Sequence, residues 1–196
     1  IQQAQGDLDE ALQLLEEAER VYDGNFSPNV RPLATRKVRL WLAQGRLGEA
    51  LNWVREHGLS VENELSYLRE FDHITLARVL LARYLSDRAD GSISGVIGLL
   101  ERLLKAAEDG GRMGSVIEIL ILLALAHQAK GDILPALASL ERALTLAEPE
   151  GHIRVFVDEG TLLITTVTDA DDYDLERLKM MCAPTDIFVV NLGENQ

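Results

Sequence analysis

Cysteine is nearly absent from this sequence, because Cys182 is the only one in 196 residues. A lone cysteine cannot form an internal disulfide, and chains so poor in cysteine are typical of reducing compartments. Aromatic residues are scarce as well, at 5% of the chain, and β-branched residues are concentrated near its end. The remaining positions are rich in Leu, Ala, Glu, Arg and Gln, which favour helices, so we expect an all-α protein.

Basic residues are also in deficit, with 19 Lys and Arg against 32 Asp and Glu and a net charge of -13. Such a surface repels phosphate backbones, so we expect no direct binding to nucleic acid. The longest clean apolar run, Ile119 to Ala126, is far shorter than the ~20 residues that a membrane span needs. No charged-then-apolar leader opens the sequence either. We predict a cytoplasmic protein without membrane contact, and the start IQQAQGDLDEAL, which lacks Met, suggests a piece of a longer chain.

A glycine-centred motif recurs along the sequence. Residues 6–12 (GDLDEAL), 45–51 (GRLGEAL) and 131–137 (GDILPAL) are three copies, and 91–97 (GSISGVI) is a weaker one. In each copy Leu or Ile follows the glycine by two residues, and a small residue follows it by five. Glycine adopts the left-handed conformation that ends one helix, and the small residue lets the next helix pack closely. The motif therefore predicts a tight turn between two helices.

Apolar residues recur at helical spacing on both sides of these turns. We predict first helices over 33–43, 65–85 and 116–129, each followed by a second helix that begins at the next motif. Helix pairs of this kind stack into a right-handed superhelical array with an inner groove. The glycine spacing, about 40 residues, exceeds the 34 of a tetratricopeptide repeat, but the turn sequence favours that type. We assign residues 1–160 to this tetratricopeptide-like array.

The helical pattern ends after residue 147. Residues 148–160 (EPEGHIRVFVDEG) contain one Pro and two Gly, which stop helices. The segments TLLITTVTD and TDIFVVNLG then have the composition of strands, and DYDLERLKMMC between them is a short helix candidate. We leave residues 161–196 unassigned, and partly extended structure is one interpretation of them.

Three segments together resemble a known family. They are LATRKVRLWLAQGRLGEALNWV, YLREFDHITLARVLLAR and GDILPALASLERALTLAEPEGHIRVFVDEG, in this order. The combination is similar to the tetratricopeptide-like region of the MalT-type, LuxR-family, ATP-dependent transcriptional regulators, and the similarity covers residues 1–160. The resemblance implies a sensor region that binds a small-molecule or protein effector and controls self-association of the regulator.

The resemblance also implies partners within the same polypeptide. In that family an ATPase domain precedes the repeats and a helix-turn-helix domain that reads DNA follows them. This sequence itself has no GxxxxGK[ST] phosphate loop, no Walker-type acidic strand and no DNA-reading helix pair. ATP binding and DNA binding are therefore not carried over, and we expect no cofactor. The segment after VDEG departs from the family's pattern.

No catalytic or metal-binding constellation is visible in the sequence. The four histidines lack Cys or carboxylate partners at ligand spacing, so we predict no zinc site at His57, His73, His127 or His152. The acidic run 169–174 fails the EF-hand pattern, because Asp174 stands where Gly is needed and Met180 where Glu is needed. Apolar neighbours make the Cys182 thiol inert, and no Ser lies in a GxSxG setting. We predict no enzymatic activity.

Polar side chains on the first helices are the candidates for ligand binding. Arg39 and Arg78 occupy matching positions in successive repeats. We expect their guanidinium groups to line one groove and to bind a carboxylate or a phosphate. Thr35, Glu118 and Gln128 are expected in the same groove. The alternative is that both arginines form salt bridges with glutamates of adjacent helices.

Two functions are compatible with this sequence. The favoured one is a regulatory sensor domain of a bacterial transcription activator, which binds an effector or a partner protein and controls self-association. The alternative is a tetratricopeptide scaffold that assembles other proteins and senses no small molecule. Sequence on either side of this segment would separate them, because a phosphate loop upstream and a helix-turn-helix downstream would indicate the regulator.

Overall fold

The computed structural model describes residues 7–21, 32–87 and 93–147, and every regular element in these ranges is helical. A 3₁₀ turn, Tyr67–Arg69, precedes the fourth helix. The seven α-helices are α1 (Leu8–Val21), α2 (Leu33–Ala43), α3 (Leu47–Glu56), α4 (Glu70–Ser86), α5 (Ile93–Asp109), α6 (Met113–Lys130) and α7 (Ile133–Ala147). The prediction of an all-α protein is confirmed, and α2 packs on α3 and α6 packs on α7 as the predicted helix pairs do.

Glycines with positive φ end the helices at the turns. Gly45 (φ 73°) separates α2 from α3, and Gly131 (φ 93°) separates α6 from α7. The amide of Arg46 donates to the Trp41 carbonyl at 2.8 Å, and the amide of Asp132 donates to the His127 carbonyl at 2.9 Å. Such bonds across five residues are typical of a glycine-terminated helix end. The motif therefore marked both turns correctly.

Two further glycines end helices in the same way, although the sequence motif does not include them. Gly58 (φ 58°) follows α3, and Gly111 (φ 63°) follows α5. The motif glycines at positions 6 and 91 lie outside the described residues.

The predicted first helices agree with the structure to different degrees. Helix α2 has the predicted bounds, and α6 begins three residues before the predicted position 116. The fourth helix begins at Glu70, although the prediction placed its start at residue 65. Ser66 has an extended backbone (φ -136°, ψ 150°), so the apolar residues just before Glu70 belong to the approach to the helix.

Two compact units divide the chain. The first, Ile1–Ala106, holds α1 to α4 and most of α5. In this unit α1 packs on α2, α2 packs on α3 and α4, and α3 packs on α4. The core is made of aliphatic side chains that include Val38, Ile74, Val79 and Leu100. Burial of these apolar surfaces supplies most of the stability, at about 25 cal/mol per Å².

In the second unit, Ala107–Gln196, α6 packs on α7. All residues from Val116 to Ala126 are buried. The α7 face against α6 consists of Ala136, Leu140, Ala143 and Ala147, and its small side chains allow a close approach.

One helix in the part of the chain that the structure covers, α6, is long and apolar enough to cross a membrane by length and composition. In the structure 61% of it is buried, as in the core helix of a soluble protein. Residues 148–196 are outside the described ranges. The predictions for the segment 161–196, the acidic run 169–174, His152 and Cys182 therefore remain predictions.

Candidate functional site

The predicted ligand residues lie on three helices. Thr35 and Arg39 are one turn apart on α2, and Arg78 is on α4, against which α2 packs. Glu118 and Gln128 are on α6 in the second unit. The structure thus places the first three on two helices that pack against each other, and a groove that includes Glu118 and Gln128 remains a prediction.

Arg39 joins α2 to α4 through a hydroxyl group and an aromatic ring. Its Nε donates a hydrogen bond to Thr75 Oγ1 at 3.2 Å. Its guanidinium carbon lies 3.9 Å from the centre of the Phe71 ring, within the range of a cation–π interaction. Thr75 is fully buried, whereas Arg39 is half-buried. The guanidinium group is therefore held in one orientation at the edge of the interface.

Thr35 has a structural contact in the same interface. Its Oγ1 donates a hydrogen bond to Asp72 Oδ1 at 3.0 Å, and only 1% of its surface is exposed. The other carboxylate oxygen of Asp72 lies 3.7 Å from Arg69 Nε. Because Thr35 is enclosed and its hydroxyl is used, it positions α2 on α4 and has little surface to offer a ligand.

We call the residues at this interface the α2–α4 seam. Phe71, Thr75 and Arg78 are spaced four and three residues apart, so they share one face of α4. The seam consists of Thr35, Arg39, Phe71, Asp72 and Thr75, whose contacts cross the interface, and of Arg78, which continues the same face of α4. Its half-buried members, Arg39, Asp72 and Arg78, combine two guanidinium groups with one carboxylate. Guanidinium groups bind carboxylates or phosphates through paired hydrogen bonds, and a carboxylate accepts hydrogen bonds from hydroxyl or ammonium groups.

Sequence reasoning missed three members of the seam: Phe71, Asp72 and Thr75. The helical spacing of the α4 face was visible in the sequence. The register between α2 and α4 was not, because the contacting residues are separated by more than 30 positions that include a long loop.

We call the loop between α3 and α4, residues 57–69, the connector. Arg102 of α5 donates to two of its carbonyl oxygens, from Nη1 to Val61 at 2.7 Å and from Nη2 to Asn63 at 2.6 Å. Arg69 Nη2 donates to the His57 carbonyl at 3.3 Å, so both ends of the connector are tied together. The amide of Ser60 donates to Asn63 Oδ1 at 2.7 Å and closes a tight turn inside it.

His73 is a fully buried histidine on α4. Its Nδ1 lies 2.9 Å from the carbonyl oxygen of Arg69, which can only accept, so Nδ1 carries the ring proton and donates. Burial lowers the pKa of His73, and the hydrogen bond to Arg69 opposes that shift. The ring is therefore held in its neutral form.

The remaining described histidines have contacts that are compatible with structural roles. His57 Nδ1 lies 2.9 Å from the Trp53 carbonyl, and His127 Nδ1 lies 3.8 Å from Asp132 Oδ2. Over 7–21, 32–87 and 93–147, no three His, Cys, Asp or Glu residues come together in a way that could hold a metal ion.

Glycine-turned helix pairs, with a polar seam between the first helices of neighbouring pairs, define a helical repeat protein of the tetratricopeptide class. The family model of the MalT-like TPR region matches residues 1–170, and the chain belongs to this family. No curated protein and no solved structure gave a significant match. The chain is thus a helical repeat region of the MalT type, a kind of region that is typically a non-catalytic interaction domain within a multidomain regulator.

Proposed function

We propose that this chain is the regulatory repeat domain of a bacterial transcription activator in the cytoplasm. In this role it binds an effector molecule or a partner protein and controls self-association of the regulator. Its further partners are the ATPase and DNA-binding domains of the same polypeptide. Membership of the MalT-like TPR family supports this proposal.

The α2–α4 seam is the observation that supports the proposal at the level of individual residues. Arg39 places a guanidinium group on α2 and Arg78 places one on α4, and Asp72 adds a carboxylate on α4 one turn before Thr75. A ligand with a carboxylate or phosphate group and neighbouring hydroxyl groups matches this set. The fixed orientation of Arg39 on Phe71 reduces the entropy that binding would cost.

The mechanism is a shift between two arrangements of the repeats. A ligand that contacts both α2 and α4 favours the arrangement in which the two helices are correctly spaced for it. It can shift the equilibrium only by its difference in affinity for the two arrangements. The favoured arrangement would expose the surfaces for self-association.

The first prediction concerns binding at the seam. A thermal-shift screen with sugar phosphates, nucleotides, dicarboxylates and short peptides identifies a probe, because a ligand of the native state raises the melting temperature. For that probe we expect Arg39→Lys and Arg78→Ala to weaken binding by about tenfold or more, since each removes a charge-assisted or bidentate contact. Isothermal titration calorimetry measures the affinities.

Arg36→Ala and Arg83→Ala are the matched controls, because these exposed arginines lie on the same two helices. Both should leave the affinity unchanged. Equal affinity in all four variants would contradict the assignment of the seam. A screen in which only peptides bind would instead favour the scaffold function.

A further inference from the structure

We propose that His73 is an acid-sensitive latch for the connector. Protonation of its buried ring releases residues 57–69 from their anchors while the helices remain folded. This inference goes beyond the proposed function and does not depend on a ligand at the seam.

The position of the ring makes its second proton costly. His73 Nδ1 already donates to the Arg69 carbonyl, so protonation adds a hydrogen at Nε2. Nε2 is buried and has no hydrogen-bond partner within the described residues. A charged N–H enclosed without an acceptor costs far more than a neutral ring nitrogen in the same place. The imidazolium ion therefore favours any rearrangement that lets water reach it.

Two of the three charges that act on the ring also disfavour its protonation. Arg69 and Arg102 disfavour a positive charge on His73, whereas Asp72 favours it. Asp72 is already engaged, because it accepts a hydrogen bond from Thr35 and lies 3.7 Å from Arg69. Among the charges that act on the ring within the described residues, a protonated His73 thus meets two guanidinium groups and one carboxylate.

Those two arginines are also the anchors of the connector. Arg102 donates to the carbonyl oxygens of Val61 and Asn63, and Arg69 donates to that of His57. The bond from His73 to the Arg69 carbonyl favours the charged ring, and it holds that ring next to these anchors. Repulsion from the imidazolium ion therefore acts on the two guanidinium groups that hold the connector. The connector is the segment that detaches.

Release of the connector changes the surface of the domain. Tyr67 and Leu68 lie in the last turn of the connector and are 55% and 54% exposed. When the anchors hold, these side chains have a fixed position beside α4. When the anchors are lost, the position is no longer fixed, so a surface that depends on it is weakened in acid.

Hydrogen–deuterium exchange of the native chain at pH 7.5 and pH 5.0 tests the latch. After correction for intrinsic rates, we expect connector amides to exchange between about threefold and about 30-fold faster at pH 5.0. The upper value is the largest factor that one histidine with an ordinary pKa of about 6.5 supplies when it opens. Peptides from α6 and α7 should change by less than threefold, and a connector change below threefold would overturn the proposal.

His73→Asn removes the titration but keeps a side-chain N–H near the position of Nδ1, so its connector should exchange equally at both pH values. His57→Asn is the control, because His57 makes the same bond to the carbonyl four residues earlier but is exposed. It should keep the acid response. A response that persists in His73→Asn, or that vanishes in His57→Asn, would refute the latch.

If His73→Asn fails to fold, the native chain still provides a test of the latch. The ring protons of each histidine are followed by NMR as the pH is lowered. The midpoint of connector opening must coincide with the titration of His73. Coincidence with the titration of any other histidine would exclude His73 as the trigger.

Discussion

At the scale of single residues, hydroxyl groups fix the register between α2 and α4. Thr35 donates to Asp72, and Thr75 accepts from Arg39. Apolar side chains alone tolerate small shifts of one helix along another, whereas a hydrogen bond requires one distance and one direction. The two threonines therefore specify the alignment that brings Arg39 over the Phe71 ring.

Replacing Thr35 with Val should lower the free energy of unfolding by about 1 kcal/mol. Valine has nearly the same shape, so the loss reflects the hydrogen bond to Asp72. Urea denaturation measures the change.

Thr145→Val is the matched control for that substitution. The Thr145 hydroxyl donates only to the Glu141 carbonyl of its own helix, and Thr145 is exposed. We expect a change within about 0.5 kcal/mol. Equal losses for the two variants would show that the bond to Asp72 contributes nothing specific.

The sequence alone indicated part of the seam. Thr35, Arg39 and Arg78 could be chosen because they are polar residues at repeating positions of the first helices. Their partners required the register of two helices, which depends on how the intervening connector is folded. The role of Thr35 also could not be deduced, because a buried and an accessible threonine look alike in a helical pattern.

At the scale of elements, the turns between helices rest on the backbone conformation of glycine. Gly131 has a φ of 93°, and a Cβ placed there would meet no atom within 4 Å. The cost of a substitution at this position is therefore conformational and not steric.

Gly131→Ala should destabilise the protein by about 1 kcal/mol, because alanine is strained in the left-handed region. Gly98→Ala is the opposite case. Gly98 lies inside α5, where an added Cβ also meets nothing within 4 Å. Alanine there should stabilise by about 0.5–1 kcal/mol. Thermal unfolding of both variants measures the sign of each stability change. Two stability changes of the same sign would contradict the prediction.

Helix existence and turn position could be predicted from local signals. Periodicity gave both bounds of α2, and the motif gave the turns at Gly45 and Gly131. The start of α4 could not be predicted in this way. Leu65 and Leu68 continue the apolar spacing of the helix, but the connector is held by Arg102, an anchor more than 30 residues further along the chain. Local patterns carry no information about such an anchor.

At the scale of the whole molecule, the net charge of -13 is the dominant electrostatic property. Ion pairs such as Lys37 with Glu19, at 3.0 Å, neutralise only part of it. Mutual repulsion of the excess carboxylates disfavours a compact chain, and salt screens this repulsion over distances of about 10 Å at 0.1 M.

Raising NaCl from 20 to 300 mM at pH 7.5 should therefore increase the melting temperature by about 2–4 °C, which corresponds to about 1 kcal/mol for a chain of this size. Differential scanning calorimetry measures it. The increase should shrink as the pH approaches the pI of 4.7, where the net charge vanishes. A melting temperature that falls with salt would mean that attractive ion pairs outweigh the repulsion.

The connector has one property with an evolutionary consequence. Arg102 binds main-chain oxygens at Val61 and Asn63, and every amino acid offers that acceptor. Substitutions at those two positions would leave both hydrogen bonds from Arg102 intact. Substitutions that accumulate at these two positions would therefore keep the course of the loop as long as Arg102 is retained.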